Sequence, residues 1–280
     1  MRVVFGVLGP VTAWDVDEDV DVDVDRGGVD VDRGGVDRSG DADRSGDGGD
    51  GDVAGGGRAI ALKGPRHRAV LARLIVARRR VVPVSRLVED LWTEGDTPPG
   101  AVGAVRTFVG ALRRALEPER PPRAPARLLV TEGPGYALRA EPGAVDAWRF
   151  ERAVTDAAPL PPRDALARLD EALGWWRGPA YAEFAEEPWA RAERSRLAEL
   201  RLYGVERQAE ARLALGLAAR AAPDLDAHVA EHPWREDAWR LLALALYRTG
   251  RQGDALAVLR RARVHPQLSD QERAGPAQHG

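Results

Sequence analysis

The stretch Ala101 to Glu117, AVGAVRTFVGALRRALE, decides the fold. Val102, Val105, Val109, Leu112 and Leu116 recur at steps of three and four, which lays them on one stripe of an amphipathic helix that sits on a core. One position further round, Gly103, Arg106, Gly110, Arg113 and Glu117 form a parallel stripe of arginines separated by glycines, open to close approach by a backbone or a groove. Thr97 offers an N-cap oxygen, Pro98 fits a first helical turn, and Pro118 blocks continuation. A charged helix face is ordinarily just solvated. Its neighbours therefore decide whether this one meets a partner.

Working upstream, Lys63-Gly64-Pro65 starts a helix whose Val70, Leu71, Leu74 and Ile75 share a face, with Arg66, Arg68 and Arg73 elsewhere on its circumference. Arg78-Arg79-Arg80 closes it, either compensating the helix dipole or meeting phosphates. Val81 to Val84, containing Pro83, reads as an extended link. Ser85 is placed to cap a short second helix carrying Leu87, Val88, Leu91 and Trp92, and Gly95 to Gly100 turns into the opening stretch. Further upstream, Arg2 to Trp14 reads as strand with a turn or bulge at Gly9-Pro10, and Arg58 to Leu62 resumes strand character, able to pair with that first strand. Downstream, a Pro-rich connector (Pro118 to Pro125) leads to Leu128–Glu132, Gly133-Pro134-Gly135 and Tyr136–Arg139, a strand, a turn and a strand. Strands, three helices and a hairpin in this order make an α+β winged helix-turn-helix over 1–140, in which the third helix enters the major groove.

Between the amino-terminal strands, residues 15–57 run through Val-Asp, Asp-Arg-Gly-Gly and Asp-Arg-Ser-Gly repeats with too few large apolar residues to repay ordering, so we expect a disordered acidic insertion. Asp21, Asp23, Asp25 and Asp32 imitate a calcium loop, but Arg26 holds the position that needs glycine and the last ligand is not Glu. Such a loop can compete with DNA for a basic neighbour, although an inert repeat expansion is the simpler reading. The formal net charge of -3 conceals an asymmetry: residues 15–57 carry fifteen acidic and four basic side chains, residues 58–140 sixteen basic and seven acidic. The basic middle third points to a polyanion partner.

The combination of GPRHRAVLARL, VSRLVEDLW, ALRRAL and TEGPGYAL resembles the OmpR-type winged helix at the front of the SARP family, the antibiotic-regulatory activators of actinobacteria, over residues 3–14 and 58–139. A helical bacterial transcriptional activation domain follows in that family. The segments Val145-Asp146-Ala147-Trp148-Arg149-Phe150, Ala172 to Gly178, His232-Pro233-Trp234-Arg235-Glu236 and Ala245 to Arg251 resemble it in order. The resemblance implies a DNA-binding activator of a secondary-metabolite gene cluster that binds promoter repeats, forms a homodimer there and contacts RNA polymerase holoenzyme. It also implies an output domain like those of two-component phosphorelays. On this chain the expected DNA-contacting set is Arg106, Thr107, Gly110, Arg113 and Arg114 of the third helix, Arg66 and Arg68 of the first, and Gly133 and Gly135 of the wing. Arg106, nearest the helix start, suits a base edge; Arg113 and Arg114 suit phosphates. Tyr136 is expected to pack at the wing base rather than read DNA.

The remaining residues support that reading independently. From Asp146 to Arg263 the apolar residues keep helical spacing, broken at Pro159 to Pro162, Gly178-Pro179, Pro223, Pro233 and Gly250. This describes an all-α, tetratricopeptide-like domain over 146–263. Its last hairpin follows that pattern through Trp239, Leu242, Ala243, Leu246, Gly250, Ala255, Leu259 and Ala262. Arg191, Arg194, Arg196 and Arg201 interleaved with Glu193, Glu199 and Glu206 read as solvated ion pairs. Residues 264–280 read as an unstructured tail where the family continues with further helix.

No catalytic constellation is evident: the five histidines lie at 67, 228, 232, 265 and 279, without an HExxH pair, a phosphate loop or a GxSxG elbow. His228 and His232 are i,i+4, but Pro233 follows and a third metal ligand is missing. We therefore expect no enzyme, no cofactor and no metal. The absence of cysteine, of a long apolar run and of a signal peptide points to a cytoplasmic, nucleoid-associated protein without a membrane partner. The alternatives are a helical-repeat interaction module with a degenerate DNA-binding domain, and a repressor.

Overall fold

Apolar alternation in Arg2–Gly6 (β1) and Thr12–Val16 (β2) folds these strands into an antiparallel hairpin, with Gly6 opposite Thr12. The computed structural model describes residues 2–16, 57–92 and 95–264, with the backbone alone at 264. The calcium-loop-like run, most of the acidic repeats and the tail from 265 lie outside the described residues. Asp15 and Val16, which the sequence reading assigns to the insertion, are paired strand residues. The short strand Arg58–Ala59 (β3) pairs with β2, the second arm of the stretch read as one strand with a turn at Gly9-Pro10, giving the order β1-β2-β3. The hairpin at Gly9-Pro10 brings β2 back between the other two.

The chain divides into two compact units, 1–146 with 181–190, and 147–180 with 191–280. In the first, three helices follow the sheet: α1 (Pro65–Val76), α2 (Val84–Leu91) and α3 (Ala101–Leu116). Val70, Leu71, Leu74 and Ile75 of α1, Leu87 of α2, and Val105, Val109, Leu112 and Leu116 of α3 are buried together where the three helices meet. Each such side chain contributes about 2 kcal/mol of apolar burial. Asp90 pins α1 to α2: its carboxylate accepts from Arg73 Nε at 2.6 Å and lies 3.2 Å from Arg86 Nε. Two expected caps are not used. Gly100 caps α3, while Ser85 lies inside α2, whose N-cap is Pro83.

The extended link becomes a strand. Val82–Pro83 (β4) pairs with β6 (Gly135–Leu138), which pairs with β5 (Leu129–Glu132), giving the sheet order β4-β6-β5. Proline is tolerated because β4 is an edge strand. Residues 181–190, in the helical half by sequence, fold against the amino-terminal hairpin: Tyr181 N–H donates to Val7 O at 2.8 Å, and Val11 N–H donates to Glu183 Oε2 at 2.7 Å. Asp146 completes this attachment by accepting from the Val7 and Leu8 N–H groups.

The second unit contains α4 (Asp146–Ala157), which the division crosses at its first residue, then α5 (Pro162–Gly174), α6 (Pro188–Ala214), whose first three residues belong to the first unit, α7 (Ala218–Glu231), α8 (Glu236–Arg248) and α9 (Gln252–Val264). Helix α7 runs through Pro223, where a break is expected from sequence. Burial of Ala221, Ala222, Leu225 and Val229 against α8 outweighs the missing hydrogen bond, and the real break is at Gly216 (φ 76). Trp239, Leu242, Ala243, Leu246 and Ala255 occupy the core as the repeat pattern requires, whereas Leu259 is exposed and Val258 takes the inward place.

Glu206, read as a solvated ion-pair residue, is buried at 4% exposure. It accepts from Arg235 Nε at 2.7 Å and Nη2 at 2.5 Å, and His228 Nε2 lies 3.5 Å away. Burial pushes its carboxyl pKa up, but contacts with His228 and Arg235 outweigh that and hold it at about 2.

Candidate nucleic-acid interface

Helix α3 is amphipathic in the way its spacing dictates, with one exception. Val102, placed on the inward stripe by sequence, is 45% exposed. The outward face comprises Val102, Gly103, Arg106, Thr107 and Arg114, with Gly110 and Arg113 half-buried beside it. Among the described residues Arg106 has no hydrogen-bond or ion-pair partner. Thr107 Oγ1 donates to Gly103 O at 3.0 Å, and Arg114 Nε donates to Gly110 O at 3.2 Å. A Cβ added at Gly103 or Gly110 would meet nothing within 4 Å. The fold itself therefore does not require glycine there, although each costs about 1 kcal/mol in a helix relative to alanine.

Arg113, expected at phosphate, is engaged with the wing within the chain. Its Nε donates to Leu129 O at 2.7 Å, its Nη2 donates to Thr131 Oγ1 at 2.8 Å, and its guanidinium lies over the Tyr136 ring at 5.6 Å. Burial lowers its pKa. Arg113 thus ties α3 to the wing. Tyr136 is buried at the wing base, where the sequence reading puts it.

The wing turns tightly, with Glu132 paired to Gly135 across Gly133-Pro134. Gly133 is exposed with φ 53, a left-handed conformation that favours glycine. Gly135, also expected at DNA, is buried: a Cβ there would lie 2.0 Å from Val82 O, so close pairing of β4 with β6 requires its glycine. Val84 N–H donates to Pro134 O at 3.1 Å, anchoring the turn to the start of α2.

Of the three arginines of α1, Arg66 and Arg68 are the two expected at DNA. Arg68 Nε pairs with Glu183 at 2.7 Å, which offsets its charge. Arg66 remains exposed, but its guanidinium stacks over Trp92 at 4.6 Å and donates to Leu91 O. Arg78 and Arg79 adopt left-handed φ values of 50 and 67, and Arg79 O accepts from Arg139 beside the wing. Glu117, at the end of the opening stretch, accepts from the Arg127 and Leu128 N–H groups and thereby positions the connector before β5. Periodicity contains no signal for these last contacts, because they join residues far apart in sequence.

Residues 57–138 match the family described as Transcriptional regulatory protein, C terminal, and residues 145–271 match Bacterial transcriptional activator domain. Regulatory protein DnrI of Streptomyces peucetius is 33% identical over 199 residues, covering 68% of this chain and 72% of that protein. This chain belongs to the SARP family of transcriptional regulators. Another SARP relative, Regulatory protein AfsR of Streptomyces coelicolor, is 38% identical over 211 residues, which are 72% of this chain but 20% of AfsR. The chain thus spans about a fifth of that larger SARP regulator. A solved structure of Mycobacterium tuberculosis EmbR in complex with a low-affinity phosphopeptide is similar with a TM-score of 0.73 and 28% identity, over 96% of this chain and 60% of that one. The SARP assignment agrees with the winged-helix-like front and helical second half. Among the described residues no helix is long and apolar enough to cross a membrane, and no group of three His, Cys, Asp or Glu side chains is placed to hold a metal ion.

Proposed function

We propose that this SARP-family chain binds promoter DNA sequence-specifically and activates transcription of a secondary-metabolite gene cluster. The observation that carries the reading is the outward face of α3: an unpartnered Arg106, with glycines that the fold does not require, in a segment matched by a transcription-regulator family. Arg106 contacts base edges and Arg114 phosphate, while Thr107 and Gly110 admit the groove wall and the exposed wing turn at Gly133 follows a neighbouring groove. Arg113 supports the interface by holding the wing to α3. Two copies bind direct repeats spaced about one helical turn, on one face of the duplex, and present the helical domain to RNA polymerase holoenzyme. The protein acts by binding and performs no chemistry of its own, in the cytoplasm and at the nucleoid.

Fluorescence anisotropy with duplexes from the upstream region of its own gene neighbourhood, against random duplex across a salt series, tests this. A site at least ~10³ tighter than random DNA with a steep salt slope is expected. Equal, weak binding to both duplexes by folded protein would refute it and leave the helical domain as a protein-interaction module. Reporter expression that falls on promoter occupancy would make it a repressor.

A further inference from the structure

Val102 is a large apolar side chain left in solvent beside the arginine that has no partner. It stands one turn before Arg106, at i and i+4, so both project from the same side of α3. The neighbouring α3 valines, Val105 and Val109, are buried at 0% and 1% exposure, while Val102 is 45% exposed. Gly103 lies beside it with open space where a side chain would be. About half of this valine stays open to solvent, and a β-branched residue there gains no helix propensity and little burial. A surface apolar group is common; one placed in line with a base-reading cation on the same helix face has a specific complement.

That complement follows from the chemistry of the major groove. Its edge carries hydrogen-bonding groups at every base pair but only one apolar group, the C5 methyl of thymine. Resting on the DNA-reading function proposed above, we infer that Val102 packs against a thymine methyl and so makes a T·A pair part of the recognised site. Four residues of helix rise span about 6 Å, on the order of two base-pair steps. The thymine therefore lies within about two base pairs of the base that Arg106 contacts.

The test uses the full chain. Selection from a random duplex library defines the bound site, and each thymine is then replaced singly by deoxyuridine, which removes only the methyl. One replacement, within about two base pairs of the position whose preference Arg106→Ala relaxes, should weaken wild-type binding about fourfold, the effect of one buried methyl-sized group. Val102→Ala should bind the thymine and deoxyuridine duplexes equally, and Val102→Thr, which keeps a methyl, should retain part of the discrimination. Both variants should keep the wild-type circular dichroism spectrum and a cooperative melt, because Val102 is not part of the core. A selected site insensitive to every deoxyuridine, or an equal fourfold loss in Val102→Ala, overturns this inference alone. A library that yields no site removes the DNA-reading function and this inference with it.

Discussion

Arg106 and Arg113 lie two turns apart on α3 in opposite surroundings. Arg106 is exposed and unpartnered among the described residues, whereas Arg113 is held by Leu129 O, Thr131 and the face of Tyr136. Replacing Arg106 by alanine should leave the melting temperature unchanged and relax discrimination at one base position by about 1–3 kcal/mol; equal losses on specific and random duplexes would count against base reading. Arg113→Ala should instead lower stability by about 1–3 kcal/mol, because Leu129 O and Thr131 lose their charged donor, and weaken binding on every duplex through a loosened wing. Thermal melts beside anisotropy separate the two residues. Glu206 shows the same dependence on surroundings in the helical unit. Its lowered pKa means that its contribution to stability is complete above the ordinary carboxyl value of 4.5 and is lost as pH falls through about 2. Glu206→Gln should cost about 3 kcal/mol at neutral pH, since Arg235 loses a buried partner, and should flatten the acid-side decline in the urea midpoint. An unchanged slope would show that other carboxylates control it.

At the scale of elements, the glycines of α3 and of the wing have contrasting causes. Gly135 permits β4 and β6 to pair, and Gly135→Ala should destabilise the first unit by about 3 kcal/mol because the added carbon overlaps Val82 O. Gly103 and Gly110 face open space, so alanine at either should stabilise the isolated protein by about 1 kcal/mol. If DNA approaches the helix backbone there, the same substitutions should weaken specific binding while raising the melting temperature. Stabilisation with undiminished affinity would place the groove elsewhere. Helices α1, α2 and α3 are legible from their apolar spacing, since three- and four-residue steps leave one continuous face to bury. Strand β4 is not legible, because Pro83 argues against a strand and only its edge position makes it acceptable.

At the scale of the whole molecule, the acidic repeats interrupt a sheet whose flanking strands remain in register. Asp15 pairs with Arg58 and Trp14 with Ala59, so the chain leaves and returns at neighbouring points. Replacing residues 17–56 by a short Asn-Gly turn should preserve the fold and specific DNA affinity, and raise stability by up to about 2 kcal/mol through the shorter loop. Circular dichroism, melting and anisotropy check this; a gain in DNA affinity would instead favour electrostatic competition by the acidic segment. Helical spacing, turn residues and the order of elements are local properties, so the sequence by itself determined the winged-helix and helical-hairpin architecture and singled out α3 as the candidate reading helix. Only the tertiary structure decided that Val102 faces solvent, that Arg113 is spent on the wing, that Gly135 is packed against β4 and that Glu206 is buried with Arg235. Exposure and partnership depend on which distant backbone arrives opposite a side chain, and periodicity along one helix carries no record of that.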